Sequence, residues 1–540
     1  MRRLLQILES KYATAFCIIF AIGNRIVFAT LYSIIGRDAR VQITLAKNFL
    51  AGKGFGVTKY FAADLNTPVF DTTQLFAPGV SFIIMPFLKL FGNDEYKALL
   101  ALDIVICIFF VIAVRSLGKK AGLPTAFNNI LTLIAGCTQY TFFMSGTSSD
   151  PIGLTFILFG LSILVDIIEK PERKKLVTLL LYSLIFFLPS FFRYMYYPIS
   201  FLFPIIIIAF GIFYKNKTIR ITGSWLLLFV VSFIIIMLSL SSWLNGNSLY
   251  VIDTGRGIFF DQLIHWYPYI PAAFINIDFV AQLIARVTGV NYIDAFIFLE
   301  VVNIIFFLLL IFQLLRWFLF KRIQLTNSSI FIISGTAISL CILSLLAYFA
   351  LTYRPQLYGI YLWNYNYESR YFAFIYIFLP ILILLFLSLF YTSFLKNIIL
   401  KCILFAAALL LFIEVLHGVY YNIKILAGHK DVLAVKDRVA DYVQFPEMLK
   451  ELSVKYPQHE ILISASDQSF LHNASELGYK AIFDYTNLNN IDLKVEKKSI
   501  LLFPIHETDV WVMKDYLERR NPRIMTKLAG TVFYIEEISP

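Results

Sequence analysis

Charge is scarce in this chain: Asp, Glu, Lys and Arg together make up 15% of its 540 residues, while 59% are hydrophobic. A water-soluble globule cannot turn so apolar a composition inward, so a bilayer must serve as solvent for most of the chain. Cysteine is also sparse. The five cysteines, Cys17, Cys107, Cys137, Cys341 and Cys402, lie in or beside apolar runs and none is spaced as C-x-x-C. That pattern implies neither a disulfide framework nor a zinc knuckle. A phosphate loop is lacking too. Gly52-Lys53-Gly54-Phe55-Gly56 is rich in glycine, but Gly-x-x-x-x-Gly-Lys-Ser/Thr does not occur and no strand leads into it. It reads as the stop of a helix.

What the chain does have is a series of long apolar runs. A helix of about 20 residues covers a hydrocarbon core of about 30 Å. On that measure about eleven spans are expected. They fall near 12–35, 97–115, 124–146, 150–168, 176–196, 198–214, 221–242, 296–318, 330–351, 372–395 and 398–420. The first follows a basic head of Arg2, Arg3 and Lys11, but it is too long for a signal peptide and has no small-residue cleavage site, so it is read as a retained span. The formal charge of +11 recurs at every second loop: Arg115, Lys119 and Lys120; Lys170, Arg173, Lys174 and Lys175; Lys215, Lys217 and Arg220; Arg316, Lys321 and Arg322; Lys396 and Lys401. This is the signature of the positive-inside rule, and it assigns the basic balance to topology rather than to a nucleic-acid partner. The expected protein is multi-pass in a bacterial cell membrane, with a cytoplasmic N-terminus and an extracytoplasmic C-terminus.

Three segments, 36–96, 244–294 and 352–371, are then expected on the outer side. The first reads as two helices, Ala39 to Leu50 and Pro78 to Phe91, lying along the membrane surface. The second mixes Asp253, Arg256, Asp261 and His265 with Trp266-Tyr267-Pro268-Tyr269, a composition suited to a lid or rim at headgroup level. After Tyr421 the long apolar runs stop. Helices at 446–454, 470–477 and 509–519 alternate with strands at 460–465, 499–503 and 531–535, which describes a small soluble α/β domain over 422–540. The fold class expected is therefore a mainly α-helical polytopic membrane domain over 1–421 with that domain attached.

Ionisable groups near span ends are costly unless paired or wet, so they are candidates for function. Asp38 follows the first span, between Arg37 and Arg40. Asp150 opens the fourth span after Ser148 and Ser149. Arg193 closes the fifth among Tyr194, Tyr196 and Tyr197, and Glu368, Arg370 and Tyr371 precede the tenth. By topology these groups share one leaflet. Carboxylates there can take a proton from an attacking hydroxyl, and guanidinium groups can hold a phosphate bidentately. The plainer reading is that each pairs locally, as Asp38 could with Arg37.

The order of these pieces resembles a known family. An aspartate just after the first span, a helix ending Asn48-Phe49-Leu50-Ala51-Gly52-Lys53-Gly54-Phe55, then Phe76-Ala77-Pro78-Gly79 and Leu90-Phe91-Gly92 resemble the opening of a GT-C glycosyltransferase. The likeness is to the lipid-phosphate-sugar-dependent kind related to protein O-mannosyltransferases and aminoarabinose transferases. Ser148-Ser149-Asp150 and Glu368-Ser369-Arg370-Tyr371 fit the same pattern. The resemblance implies Asp38 at the catalytic centre and Arg193, Arg370 and Tyr371 on the donor phosphate. Asp150, Glu368, Tyr194 and His265 are expected as substrate contacts from their place on the outer side. The implied partners are a polyprenyl-phosphate sugar and a lipid, glycan or protein acceptor. Family members often carry a paired acid where this chain has Asp38-Ala39-Arg40, so a divalent metal is not supported and no cofactor is expected. Two other classes stay open: a polysaccharide polymerase or ligase using pyrophosphate-linked glycans, and a non-enzymatic transporter, which internal repeats and midplane charges would mark.

Overall fold

The computed structural model describes residues 6–32, 37–71, 77–137, 149–172, 174–193, 196–244, 277–299, 301–302, 305, scattered positions between 380 and 427, then 444–465, 468–483, 493–506, 514–528 and 531–540. The chain divides into two compact units. One comprises Met1–Ala29, Asp103–Met237 and Val251–Ile423; the other comprises Thr30–Leu102, Leu238–Tyr250 and Lys424–Pro540.

The first unit is helical. Its helices, three of which extend past its boundaries, are α1 (Lys11–Tyr32), α4 (Glu95–Lys120), α5 (Thr125–Cys137), α6 (Ser149–Glu169), α7 (Leu176–Phe192), α8 (Tyr197–Phe213), α9 (Lys217–Leu244) and α10 (Ile277–Thr288). Among the described residues, Lys11–Thr30, Glu95–Lys120, Ser149–Glu169 and Lys217–Leu240 are long and apolar enough to cross a membrane, and α5, α7 and α8 are shorter apolar helices. The protein is an integral membrane protein. Each helix from α4 to α9 coincides with one of the runs read as spans. The spans expected near 296–318, 330–351, 372–395 and 398–420 lie wholly or largely outside the described residues.

Small residues set the helix spacing, as they do where lipid supplies no hydrophobic drive to association. A Cβ on Gly136 of α5 would stand 2.4 Å from Ala21 Cα of α1, so the two backbones touch. A Cβ on Gly153 would stand 2.6 Å from the Tyr196 ring, and one on Gly160 would stand 2.8 Å from Phe203. α6 therefore accepts the aromatic side chains that lead into and line α8.

The second unit contains α2 (Arg37–Leu50), α3 (Gly79–Leu90) and a seven-stranded sheet. The strands are β1 (Val57–Phe61), β2 (Asp64–Asp71), β3 (Glu460–Ser464), β4 (Lys480–Ile482), β5 (Ser499–His506), β6 (Arg523–Leu528) and β7 (Thr531–Ile538). Their order is β2-β1-β4-β3-β5-β7-β6, with β1, β4, β3 and β5 mutually parallel and the remaining pairs antiparallel. Helices α11 (444–455), α12 (Gln468–Glu476) and α13 (Lys514–Arg520) accompany it. Period-two alternation splits the sheet's side chains between two cores. Ile461, Ile463, Ile500 and Leu502 pack on Phe445, Leu449, Phe470 and Leu471. Leu462, Leu501, Phe503 and Ile505 pack with Ala62 and Leu65.

The glycine-rich run is a helix stop, as its sequence implies. Lys53 N donates to Asn48 O at 2.9 Å and Gly52 N to Phe49 O at 3.1 Å, with Gly52 at φ +73°. This is the paired closure of a Schellman turn, which needs the left-handed residue that glycine supplies. The sequence reading contained no strand between 57 and 71. Those residues form β1 and β2 and complete a sheet whose other strands lie beyond residue 459. The sequon Asn473-Ala474-Ser475 sits on α12 with Asn473 buried.

Candidate functional site

Two groups of ionisable side chains stand out, one in each unit. In the helical unit, Asp150 lies in the first turn of α6 and is 2% exposed. Arg193 follows the last residue of α7 in an extended conformation, and its amide donates to Pro189 O at 2.9 Å. That break in the helix, after which the described chain resumes at Tyr196, swings the side chain across to α6. The Arg193 guanidinium pairs with the Asp150 carboxylate. Ser190 and Ser200 share a buried hydroxyl contact beside the same α7–α8 corner. Of the candidate residues named from sequence, Asp150 and Arg193 are thus brought into direct contact.

In the second unit, Asp38 is the second residue of α2. Two residues on, the buried Arg40 pairs with Glu95. Two turns further along the same face, Lys47 Nζ lies 2.7 Å from Glu95 Oε1 and also pairs with Glu476 of α12. The four side chains alternate in charge and are between 7% and 22% exposed. Burial disfavours the charged ammonium of Lys47, but Glu95 and Glu476 outweigh it and hold the group above the usual lysine value. Asp94 caps α4 through the Lys97 amide at 3.0 Å, and the hydrogen bonds from Lys97 keep its carboxyl below the usual range.

Two further ionisable groups lie within helices of the membrane domain. Arg25 is fully buried on α1, stacks 4.2 Å above the Phe110 ring and donates from Nη1 to Ala135 O at 3.0 Å. Its neighbour Asn24 donates to Gly136 O at 3.1 Å and accepts from Asn422 at 2.8 Å. Asp103 on α4 is 2% exposed, and its Oδ2 makes no hydrogen bond.

Tyr194, His265, Glu368, Arg370 and Tyr371 lie outside the described residues, as does the segment 244–294 up to residue 276 apart from Leu244. Sequence reasoning did not single out Asp103, Lys47, Glu95 or Glu476. A lone carboxylate in Leu100-Ala101-Leu102-Asp103-Ile104-Val105 was a usable signal for Asp103. Glu476 lies 429 residues from Lys47, and no local pattern announces such a pair. Among the described residues, no three His, Cys, Asp or Glu side chains come together as a metal site.

No family model matches the chain, and no curated protein matches it in sequence. Solved structures do match. One is ArnT from Cupriavidus metallidurans bound to undecaprenyl phosphate, at 11% identity and TM-score 0.43, covering 97% of this chain and 98% of that one. Another is the Archaeoglobus fulgidus oligosaccharyltransferase in its apo form, at 10% identity and TM-score 0.49, covering 93% of this chain and 70% of that one. The same archaeal enzyme, AglB, in complex with an inhibitory peptide and a dolichol-phosphate matches at 11% identity and TM-score 0.46, over 93% and 70%.

Proposed function

We infer that this protein is a membrane glycosyltransferase that moves a sugar from a polyprenyl-phosphate-linked donor to a lipid, glycan or protein acceptor at the outer face of the membrane. The observation that carries the reading is the position of Asp38. It stands in the first turn of α2, a helix that follows directly on the first long apolar helix and leads through a glycine stop into the sheet. This is the order in which the sequence resembles GT-C enzymes.

In this reading Asp38 accepts the proton of the acceptor hydroxyl as the hydroxyl oxygen attacks the anomeric carbon. The bond from that carbon to the phosphate oxygen breaks, the configuration inverts, and the polyprenyl phosphate leaves with the electron pair. Arg193 and Arg370, with Tyr371, meet the charge that develops on the leaving phosphate. Asp150 keeps the Arg193 guanidinium turned to one side of α6, and Glu368, Tyr194 and His265 contact the sugar or acceptor. The apolar helices hold the polyprenyl chain in the bilayer. The N-terminus is cytoplasmic, and residues 422–540 stand outside the cell.

Thermal stability of the purified protein with synthetic polyprenyl-phosphate sugars tests the donor, because a ligand that binds the folded state at 100 times its Kd adds about 2.7 kcal/mol. A shift in the wild type is expected, and Arg193→Lys and Arg370→Ala should reduce it. Lysine leaves Asp150 a charged partner but lacks the planar fork. Asp38→Asn should keep the shift and lower transfer by about 10²-fold or more. Unchanged transfer by Asp38→Asn removes it from the catalytic role. A shift only with pyrophosphate-linked glycans instead indicates a polymerase or ligase.

A further inference from the structure

We propose that Lys47 and Glu476 are positioning residues for transfer: their ion pair ties α12 to α2 and so fixes where Asp38 stands. The inference rests on the catalytic reading of Asp38. Its ground is the way residues 468–483 grip the first outer segment at several points. Glu476 holds Lys47 of α2, Ser475 Oγ donates to Thr58 O at 2.8 Å, and Phe483 N donates to Tyr60 O at 3.0 Å. Asn48 Nδ2 donates to Gly56 O at 2.7 Å and locks the end of α2 to the start of β1.

Apolar packing alone leaves a helix free to roll or tilt, because the hydrophobic effect has no direction. Charge pairs of defined length do not. Arg40 and Lys47 are two turns apart on one face of α2, and Glu95 holds both. Glu476 adds a second anchor to Lys47 from another element, so α2 is fixed from two directions. Asp38 is nine residues from Lys47, about 13 Å along the helix at about 1.5 Å per residue. A tilt of about 5° about Lys47 therefore moves Asp38 by about 1 Å, and an error of that size in a reacting group can cost about 10²-fold in rate. The lysine-to-glutamate pair is thus a lever on the catalytic end of α2, although neither residue need touch substrate.

The full-length chain carrying Glu476→Gln, Lys47→Met, the double variant and the conservative Glu476→Asp tests this. Transfer from a synthetic polyprenyl-phosphate sugar is measured per folded molecule, with amide exchange over residues 37–50 alongside. Either neutral variant should lose about 10- to 100-fold in kcat with donor KM within about twofold, and the double variant should be no worse than Lys47→Met, which gives up Glu95 as well. Glu476→Asp should recover part of the rate. Exchange over 37–50 should quicken while β3 and β5 stay protected. A kcat within about twofold of wild type in Glu476→Gln overturns the proposal even where exchange has quickened, because the pair is then merely structural. So does additive loss in the double variant. If the wild type transfers no sugar from any such donor, the reading of function fails. Exchange then decides the anchoring: quickened exchange in Glu476→Gln supports it, and unchanged exchange overturns it.

Discussion

An ion pair buried between helices costs most when half of it is removed, since the survivor is left charged where water cannot reach it. Asp150 is in that position, with its side chain 3% exposed against 14% for Arg193. Arg193→Ala should therefore lower the stability of the helical unit by about 3–5 kcal/mol, whereas Arg193→Met combined with Asp150→Leu should recover most of that loss. Thermal unfolding of the three proteins in one detergent checks this, and equal losses in all would mean that the pair carries no buried charge. The sequence made both residues visible because each is ionisable at the edge of an apolar run. It did not say that they pair with one another. That follows from Arg193 breaking the helical path after Phe192.

At the scale of elements, the helices were legible and their contacts were not. Apolar runs longer than about 18 residues can do little else than cross a bilayer, so α4, α6 and α9 were expected nearly at their observed bounds. The contact between α1 and α5 depends on a pair of small residues in helices about 100 positions apart. There Gly136 meets Ala21, and the closeness carries Asn24 and Arg25 to the carbonyls of Gly136 and Ala135. Gly136→Val must push the helices apart and lengthen both hydrogen bonds, leaving the Arg25 guanidinium with less to donate to. A large fall in thermal stability is expected, with Gly122→Ala as the comparison, since a Cβ there meets nothing within 4 Å although its φ of +84° adds strain of its own. If Gly136→Val falls no further than Gly122→Ala, the backbone contact does not matter.

At the scale of the molecule, the pH dependence of stability follows from Lys47. Its pKa is raised in the fold by Glu95 and Glu476 against the effect of burial. A group with a raised folded value contributes stability that is fully present below its unfolded pKa, about 10.4, and is lost as pH rises through the folded value. The difference in melting temperature between wild type and Lys47→Met should therefore be constant from neutral pH to about 9 and shrink above about 10.4. A difference that shrinks toward acid instead would assign the stabilisation to the carboxylates.

The sequence by itself determined that this chain lives in a bilayer, where the long apolar helices among the described residues run, and that an aspartate follows the first of them. Hydrophobic length and charge asymmetry act locally, and a chain of this composition has no other solvent. It also determined the helix stop at Gly52, because a left-handed turn is written in one residue. Only the tertiary structure decided that residues 57–71 are strands in a sheet with residues beyond 459, and that Lys47 answers to Glu476. Strand pairing and ion pairing join residues hundreds of positions apart, and the free energy that selects them appears only when the two ends of the chain meet.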